Sequence, residues 1–302
     1  MAGKQCVWLD GRFVAFEKAN VHILTHSLQY GSGMFEGMRT YKTVTGRSVF
    51  RLDSHIKRFM NTAKIYAMDL GYDENTLKKA VIGLIKKNGL ESCYIRPFAF
   101  YNDTRIGIDV LGKKVSVAIA AIPFGDYFEN KNKGIRCSVS SWRRINSDIL
   151  PPLAKGSANY RNSVLAGEEA RKNGTDEAIL LTERGYVAEG PGENIFLVRD
   201  SKLITPSGAS DILMGITRDS VIKIAESSGI LVEEREVHRE ELYIADELFF
   251  SGTAAEITPI VSVDGRKIGS GHIGPLTKLI SDYFSQVVHG ENNEFKDWLT
   301  PV

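Results

Sequence analysis

From Val115 to Phe124 the chain carries its longest apolar stretch, VSVAIAAIPF, and from Gly125 to Gly134 it runs through GDYFENKNKG, polar and without period. That juxtaposition narrows the folds open to it. Val115 to Ile122 is a near-continuous run of small apolar residues, as in a strand buried on both faces. The polar segment matches neither helix nor strand and reads as a linker between domains. A chain of 302 residues accommodates two domains of ordinary size. The expected division is a small N-terminal α/β domain over residues 1–126, an interdomain loop at 127–133 and a large C-terminal domain over 134–302.

Periodicity fills in the rest. Cys6 to Phe16 reads as a hairpin around Asp10-Gly11. Apolar residues at Ile56, Phe59, Met60, Ala63, Ala67 and Leu70 follow helical spacing, predicting a helix over Asp53 to Leu70. A second helix runs from Asp73 to Asn88, with Leu77, Val81, Leu84 and Ile85 on one face and Gly89 as its cap. In the strand Cys93 to Tyr101, alternation puts Tyr94, Arg96, Phe98 and Phe100 on one face. Beyond the linker come a strand from Ile135 to Ser140, a loop with Pro151-Pro152 and a helix from Asn159 to Lys172. Strands follow at Glu177 to Thr182 and Asn194 to Val198, separated by the turn AEGPGEN. Ile216 to Ser228 is a helix with Thr217 as N-cap. A strand (Leu231 to Val237), a short helix, a strand (Glu247 to Ser251), a hairpin at Asp264-Gly265 and a helix from Pro275 complete an α+β pattern.

Composition excludes several function classes. Lys and Arg number 38 against 37 Asp and Glu, a net charge of +1, so no field gathers nucleic acid. Cys6, Cys93 and Cys137 form no CxxC pair, which argues against a disulfide framework or structural zinc and for a reducing compartment. The N-terminus lacks a signal-peptide pattern, and the longest apolar stretch is too short to span a bilayer. A cytoplasmic protein is expected. HExxH, GxSxG and GxxxxGK[ST] are absent. His22 and His26 are four apart, as on one helix face, but a turn before GSG suits them equally, and no metal is expected.

One lysine stands apart. Lys155 sits in PPLAKGSANYRNS, where two prolines stiffen its approach and Gly156, Ser157 and Ala158 leave room around it. Most lysines are solvated charge; an amine that forms an imine needs space for an aldehyde and a neutral nucleophilic form. Glu189, in VAEGPGEN, reads either as a turn carboxylate or as a carboxylate facing a pyridine nitrogen. Gly215-Ile216-Thr217 opens a helix, where free N–H groups favour phosphate. Ser251-Gly252-Thr253-Ala254 follows a strand and offers a further N–H pair with a hydroxyl, and Arg58, on the helix from Asp53, reads either as an exposed helical cation or as the completion of a phosphate clamp.

Seven stretches in order give these features a common origin: YGSGMFEGMR (Tyr30 to Arg39), HIKRFMNTAKIY (His55 to Tyr66), YIRP (Tyr94 to Pro97), KGSANYRNSVLAGEEA (Lys155 to Ala170), EGPGENIF (Glu189 to Phe196), GITRD (Gly215 to Asp219) and SGTAAEITP (Ser251 to Pro259). Together they resemble the branched-chain aminotransferase family of the fold-type IV pyridoxal-phosphate enzymes, from about Trp8 to Trp298. The resemblance implies the two-domain, D-amino-acid aminotransferase-like α+β architecture of fold type IV. It also implies pyridoxal 5′-phosphate as cofactor and amino acids and 2-oxo acids as substrates. Lys155 matches the Schiff-base lysine, Tyr160 the partner of the cofactor's phenolic oxygen and Glu189 the partner of its ring nitrogen. Arg58, the Ile216 and Thr217 amides and Thr253 match the phosphate cup. Tyr94 with the Thr253 and Ala254 amides matches the α-carboxylate site, and Tyr30, Phe35, Gly37 and Tyr127 the side-chain pocket. Ile106 and Ile108 match apolar residues that reach into a neighbouring subunit's site, so a homodimer is implied.

Two residues depart from the pattern. Phe124 stands where relatives often carry tryptophan, and Arg105 puts a cation in TRIGID, where relatives are usually uncharged. D-amino-acid aminotransferases, (R)-amine transaminases and aminodeoxychorismate lyases share the lysine and phosphate cup, but Tyr94-x-Arg96 with GMFEGMR matches the branched-chain, L-specific pattern best. A non-catalytic cofactor-binding protein on this fold would be signalled by loss of Lys155 or Glu189, and both are present. Arg96 shares a strand face with Tyr94, which suits it to the distal carboxylate of glutamate.

Overall fold

The computed structural model describes residues 5–125, 127–128 and 133–302; most of the loop expected at 127–133 lies outside the described residues. Two compact units result. The first comprises Met1–Gly125, Ala154–Ala158 and Val287–Val302, the second Asp126–Leu153 and Asn159–Gln286.

Unit one opens with the expected hairpin, β1 (Cys6–Leu9) and β2 (Arg12–Ala15). Asp10 and Gly11 both take positive φ, 46° and 85°, which lets a two-residue turn follow the strand twist. Then come α1 (His26–Tyr30), β3 (Met34–Phe35), β4 (Met38–Thr43), β5 (Gly46–Phe50), α2 (Leu52–Ile65), α3 (Glu74–Asn88), β6 (Cys93–Tyr101) and β7 (Val115–Ile122). Among the described residues the sheet has eight strands. The C-terminal strand Leu299–Pro301 comes first, then β5, β4, β6, β7, β1 and β2, with β3 also on β6. Every pairing is antiparallel. Leu52, Ile56, Phe59 and Ala63 of α2 and Leu77, Val81, Leu84 and Ile85 of α3 are buried with Val49, Ile95, Val117 and Ile119 of the sheet. Each such large apolar side chain contributes roughly 1.5–3 kcal/mol by leaving water.

Two expectations change here. α2 ends at Ile65, not Leu70. Ala67 turns left-handed (φ 50°), its N–H donates to Lys64 O and the Met68 N–H to Ala63 O, closing a Schellman cap. Met68 and Leu70 are buried all the same, as the apolar residues that follow such a cap, so the apolar spacing outlives the helix. β7 is fully buried along one face only: Val117, Ile119 and Ala121 are inside, while on the other Ser116 is buried, Ala118 and Ala120 are half-buried and Ile122 is exposed. The run looks continuous because its second face is also apolar from Ala118 to Ile122. There Ala118 and Ala120 lie opposite Phe98 and Arg96, and two methyl-sized side chains leave that row of β6 uncrowded.

Unit two contains β8 (Ile135–Arg143), α4 (Asn159–Lys172), β9 (Glu177–Leu181), β10 (Asn194–Arg199), β11 (Lys202–Pro206), α5 (Ile216–Ser227), β12 (Val232–Arg235), α6 (Glu241–Ile244), β13 (Glu247–Gly252), β14 (Glu256–Val263) and β15 (Arg266–Lys267). The helix α7 (Pro275–Val288) follows, and Leu299–Pro301 of unit one is then β16. The sheet of unit two runs β12, β11, β10, β13, β14, β8, β9, with β15 on β14. It is mixed: β11 with β12, β14 with β8 and β8 with β9 are parallel. Ile179, Leu197, Ile204, Phe250 and Ile260 lie at its core.

A contiguous division at residue 134 gives Ala154–Ala158 and the C-terminus to the second domain, whereas their backbone pairs with the first. Gly156 bridges Met34, the Phe35 N–H donates to Lys155 O at 3.0 Å and the Ser157 N–H to Gly33 O at 2.9 Å. Thr300 pairs with Val49.

Candidate active site

In unit one the lysine strand is stitched beside β3 by those main-chain bonds, and the Lys155 N–H also donates to Thr62 Oγ1 of α2 at 3.2 Å. The half-buried Lys155 amine lies 5.2 Å from the centre of the Phe35 ring. The space expected at Gly156 is taken: a Cβ there would stand 2.1 Å from Tyr66 Oη, so the glycine admits the tyrosine hydroxyl. The Arg96 guanidinium stacks 4.5 Å from the same Phe35 ring and donates to Tyr94 Oη at 3.2 Å. Tyr94 Oη in turn sits over Gly37, where a Cβ would come within 1.9 Å. Phe124, in the tryptophan position, packs its ring 5.0 Å from that of Tyr94 and under the Arg39 guanidinium at 5.4 Å.

Beneath Phe35 lies an ionic knot that reading the sequence did not anticipate. Glu36 is fully buried. Its carboxylate accepts from Arg58 Nε at 2.5 Å, Arg58 Nη2 at 3.0 Å, His55 Nδ1 at 2.9 Å and the Gly37 N–H at 3.0 Å. Burial alone would raise the Glu36 pKa; the Arg58 charge and the His55 hydrogen bond override it and hold the carboxyl far below its ordinary range. Burial pushes His55 down from its ordinary 6.5, and the Arg58 and Lys155 charges add to that against the pull of Glu36. Both Glu36 and His55 lie inside the quoted stretches, but nothing in their spacing announces that they meet.

This knot sets a pH dependence. A histidine whose folded pKa is depressed stays neutral while the unfolded chain takes up a proton, so stability is full above 6.5 and falls as pH drops below it. His55→Asn, which keeps a donor near the Nδ1 position, is expected to flatten that fall by up to about 1.4 kcal/mol per pH unit. Urea midpoints of both proteins between pH 7 and 5 measure it; parallel profiles contradict a neutral buried His55.

Unit two builds around Glu189, which is 4% exposed and faces three donors. Arg144 Nη2 lies 2.8 Å from Oε1, Asn194 Nδ2 donates to Oε2 at 2.9 Å, and the Leu213 N–H lies 3.2 and 3.3 Å from the two oxygens. Asn194 ties the group together, because its Nδ2 also donates to Leu213 O at 2.9 Å. It pairs across the sheet with Ser251, beside the Thr253–Ala254 turn between β13 and β14. The N-cap of α5 is Gly215 rather than Thr217; Gly215 is extended (φ −69°, ψ 137°) and provides no side-chain cap. Ile216 and Thr217 are the buried first residues of the helix, whose leading N–H groups have no intrahelical acceptor. Ser251 Oγ is buried with no hydrogen-bond partner among the described residues.

The remaining expected residues fall as follows. Tyr160 is half-buried in the first turn of α4, and Tyr127 is half-exposed with its ring 4.8 Å from that of Phe128. Tyr30 Oη accepts from the Gly107 N–H at 3.2 Å, and the His26 ring bonds Gly107 O at 3.0 Å. Those bonds hold a loop on which Ile106 and Ile108 are 79% and 83% exposed. His26 is therefore committed to the loop and to Ser32 at 2.7 Å, and no metal-binding group occurs among the described residues. Arg105 is not a free cation: it forks onto Asp103 at 2.9 Å and reaches Gly112 O. No helix among the described residues is long and apolar enough to cross a membrane.

Residues 33–263 match the family described as amino-transferase class IV. The chain is 44% identical to the branched-chain-amino-acid aminotransferase of Salmonella typhimurium, over 98% of this chain and 97% of that one. Among solved structures it is similar to the branched-chain aminotransferase of Thermoproteus uzoniensis with norvaline, at TM-score 0.95 and 47% identity over 99% of both chains. It is similar also to the PLP form of the branched-chain amino acid aminotransferase of Thermobaculum terrenum, at TM-score 0.93 and 37% identity over 100% of this chain and 99% of that one. The chain belongs to the class IV aminotransferases, in the branched-chain-amino-acid aminotransferase family.

Proposed function

We propose that this chain exchanges amino groups between leucine, isoleucine or valine and 2-oxoglutarate, giving branched-chain 2-oxo acids and L-glutamate, with pyridoxal 5′-phosphate on Lys155. One observation in unit one carries the reading. The Phe35 ring lies between 4.5 and 5.2 Å from two different cationic groups, the Arg96 guanidinium and the Lys155 amine. Arg96 is exposed and has no acidic partner among the described residues. An imine-forming amine, an apolar ring and a carboxylate-binding cation thus occur together. Stacking on Phe35 and Tyr94 keeps the guanidinium solvated at the edge of an apolar wall, so leucine meets hydrocarbon and a dicarboxylate meets charge.

The residues fit the cofactor. Glu189 offers a buried carboxylate for a ring nitrogen; the α5 amides of Ile216 and Thr217, Thr253 and Arg58 would hold the phosphate; Tyr160 would meet the phenolic oxygen. When bound, pyridoxal phosphate supplies a sink for the electrons released at the substrate Cα. Lys155 forms the covalent link and carries the proton. Tyr94, with the Thr253 and Ala254 amides, receives the α-carboxylate, and Tyr30, Phe35, Gly37 and Tyr127 shape the side-chain pocket. The exposed Ile106 and Ile108 suit insertion into a second copy's site, so the working form is a homodimer. The free thiols Cys6, Cys93 and Cys137 suit the cytoplasm.

Arg96→Met is expected to raise KM for glutamate and 2-oxoglutarate far more than for leucine, since only the diacids lose a partner. Steady-state assays in both directions measure it, and equal losses for leucine and glutamate would assign Arg96 to the α-carboxylate or the fold. Charge-assisted bonds, at about 1.5–3 kcal/mol, exceed neutral ones at about 0.5–1.5. Arg58→Ala should therefore loosen the cofactor more than Thr217→Ala. Both substitutions belong in a Glu36→Gln background, because Arg58→Ala alone strands a buried carboxylate. Cofactor retained equally on dialysis contradicts the ordering.

A further inference from the structure

Arg144 belongs to none of the stretches that carry the family resemblance, yet its Nη2 lies 2.8 Å from Glu189, and it is itself 8% exposed. It follows directly on β8, and its backbone is fixed by the N–H bond to Leu181 O at 2.8 Å. Its Nε reaches Asp211 O at 3.4 Å. We propose that Arg144 is a positioning residue that holds Glu189 ionised and in place, so that a proton shared between Glu189 and the cofactor's ring nitrogen rests on the ring. The inference rests on the reading of Glu189 as that nitrogen's partner.

Competing distances decide where that proton sits. A buried carboxylate facing a pyridinium has two ways to lose its charge cost: remain an ion pair, or take the proton and leave two neutral groups. A fixed guanidinium changes that balance. It touches the carboxylate directly, whereas a ring nitrogen paired with the carboxylate would stand farther from it, and Coulomb energy falls with distance. Arg144 therefore stabilises ionised Glu189 more than it opposes the ring's positive charge. The Leu213 N–H and Asn194 amide act in the same sense, as donors that bind an ionised carboxylate more strongly than a protonated carboxyl. Removing Arg144 tips the proton toward Glu189 and weakens the electron sink.

The test uses cofactor-loaded enzyme reconstituted with pyridoxal phosphate isotope-labelled at the ring nitrogen. The nitrogen chemical shift is recorded for wild type, Arg144→Met, Arg144→Lys and Glu189→Gln, alongside melting temperature and kcat with L-leucine. Arg144→Met is expected to move the resonance from the pyridinium toward the neutral-pyridine position and to lower kcat, with Arg144→Lys recovering most of both. Should Arg144→Met fail to fold, Arg144→Gln removes the charge in its place and is read against Arg144→Lys, which keeps it. If Glu189→Gln moves the resonance while the Arg144 variants lower only the melting temperature, Arg144 is structural and the proposal is overturned. Should Glu189→Gln leave the resonance at its wild-type position, the reading of Glu189 itself fails, and the proposal with it.

Discussion

Lys155→Ala is expected to abolish steady turnover and covalent attachment of the cofactor while the fold survives. The reason for survival is that its stitches are main-chain: the bonds to Thr62 Oγ1 and from Phe35 involve the Lys155 N–H and C=O and persist in alanine. The loss of rate has two sources. No other group is assigned to carry the proton at the reacting carbon, and a positioned general base alone is worth about 10²–10⁴-fold. Loss of the imine-forming amine comes on top of that. Circular dichroism and melting curves should match wild type, and the cofactor should leave on gel filtration. Turnover within about tenfold of wild type, against that 10²–10⁴ expectation, would place the chemistry on another residue.

Glu189→Gln should lower kcat by about 10²–10³, the usual cost of removing one preorganised electrostatic partner. An amide cannot supply the countercharge that keeps a ring nitrogen protonated. It also meets a site built of donors. Whichever way the introduced amide turns, its NH₂ confronts Arg144, Asn194 or the Leu213 N–H, leaving at least one buried group unpaired at about 1–3 kcal/mol. A lower melting temperature should therefore accompany the lost rate, with only a small change in cofactor affinity because the phosphate contacts remain. An unchanged kcat would return Glu189 to the role of a turn carboxylate.

How much of this was legible depended on distance along the chain. The α3 helix was readable to within one residue because its signals are local: Asp73 caps by accepting from the Thr76 N–H at 2.7 Å, and Gly89 closes it with φ 64°. Tyr94 and Arg96 were placed on one face by alternation alone, and they do meet. By contrast, Lys155 joins unit one because its neighbour Gly156 pairs with Met34, over a hundred positions away, which no periodicity announces. Glu36, His55 and Arg58 likewise come together only when α2 packs under β3, and one of the three looked like an exposed cation. Arg105, the cation that departs from the family pattern, is paired locally, with Asp103 two residues earlier. Short strands such as β11, ending at Pro206, carry too few residues for a period to show.

The most direct measurement is the single-turnover half-reaction of the wild-type protein, followed by the absorbance of its bound cofactor. L-Leucine, L-valine and L-glutamate should each convert the resting spectrum and release the matching 2-oxo acid, and the 2-oxo acid should restore it. D-Alanine and (R)-1-phenylethylamine should leave it unchanged on that timescale. Conversion by D-alanine or the (R)-amine faster than by L-leucine would contradict the account and assign the chain a different donor.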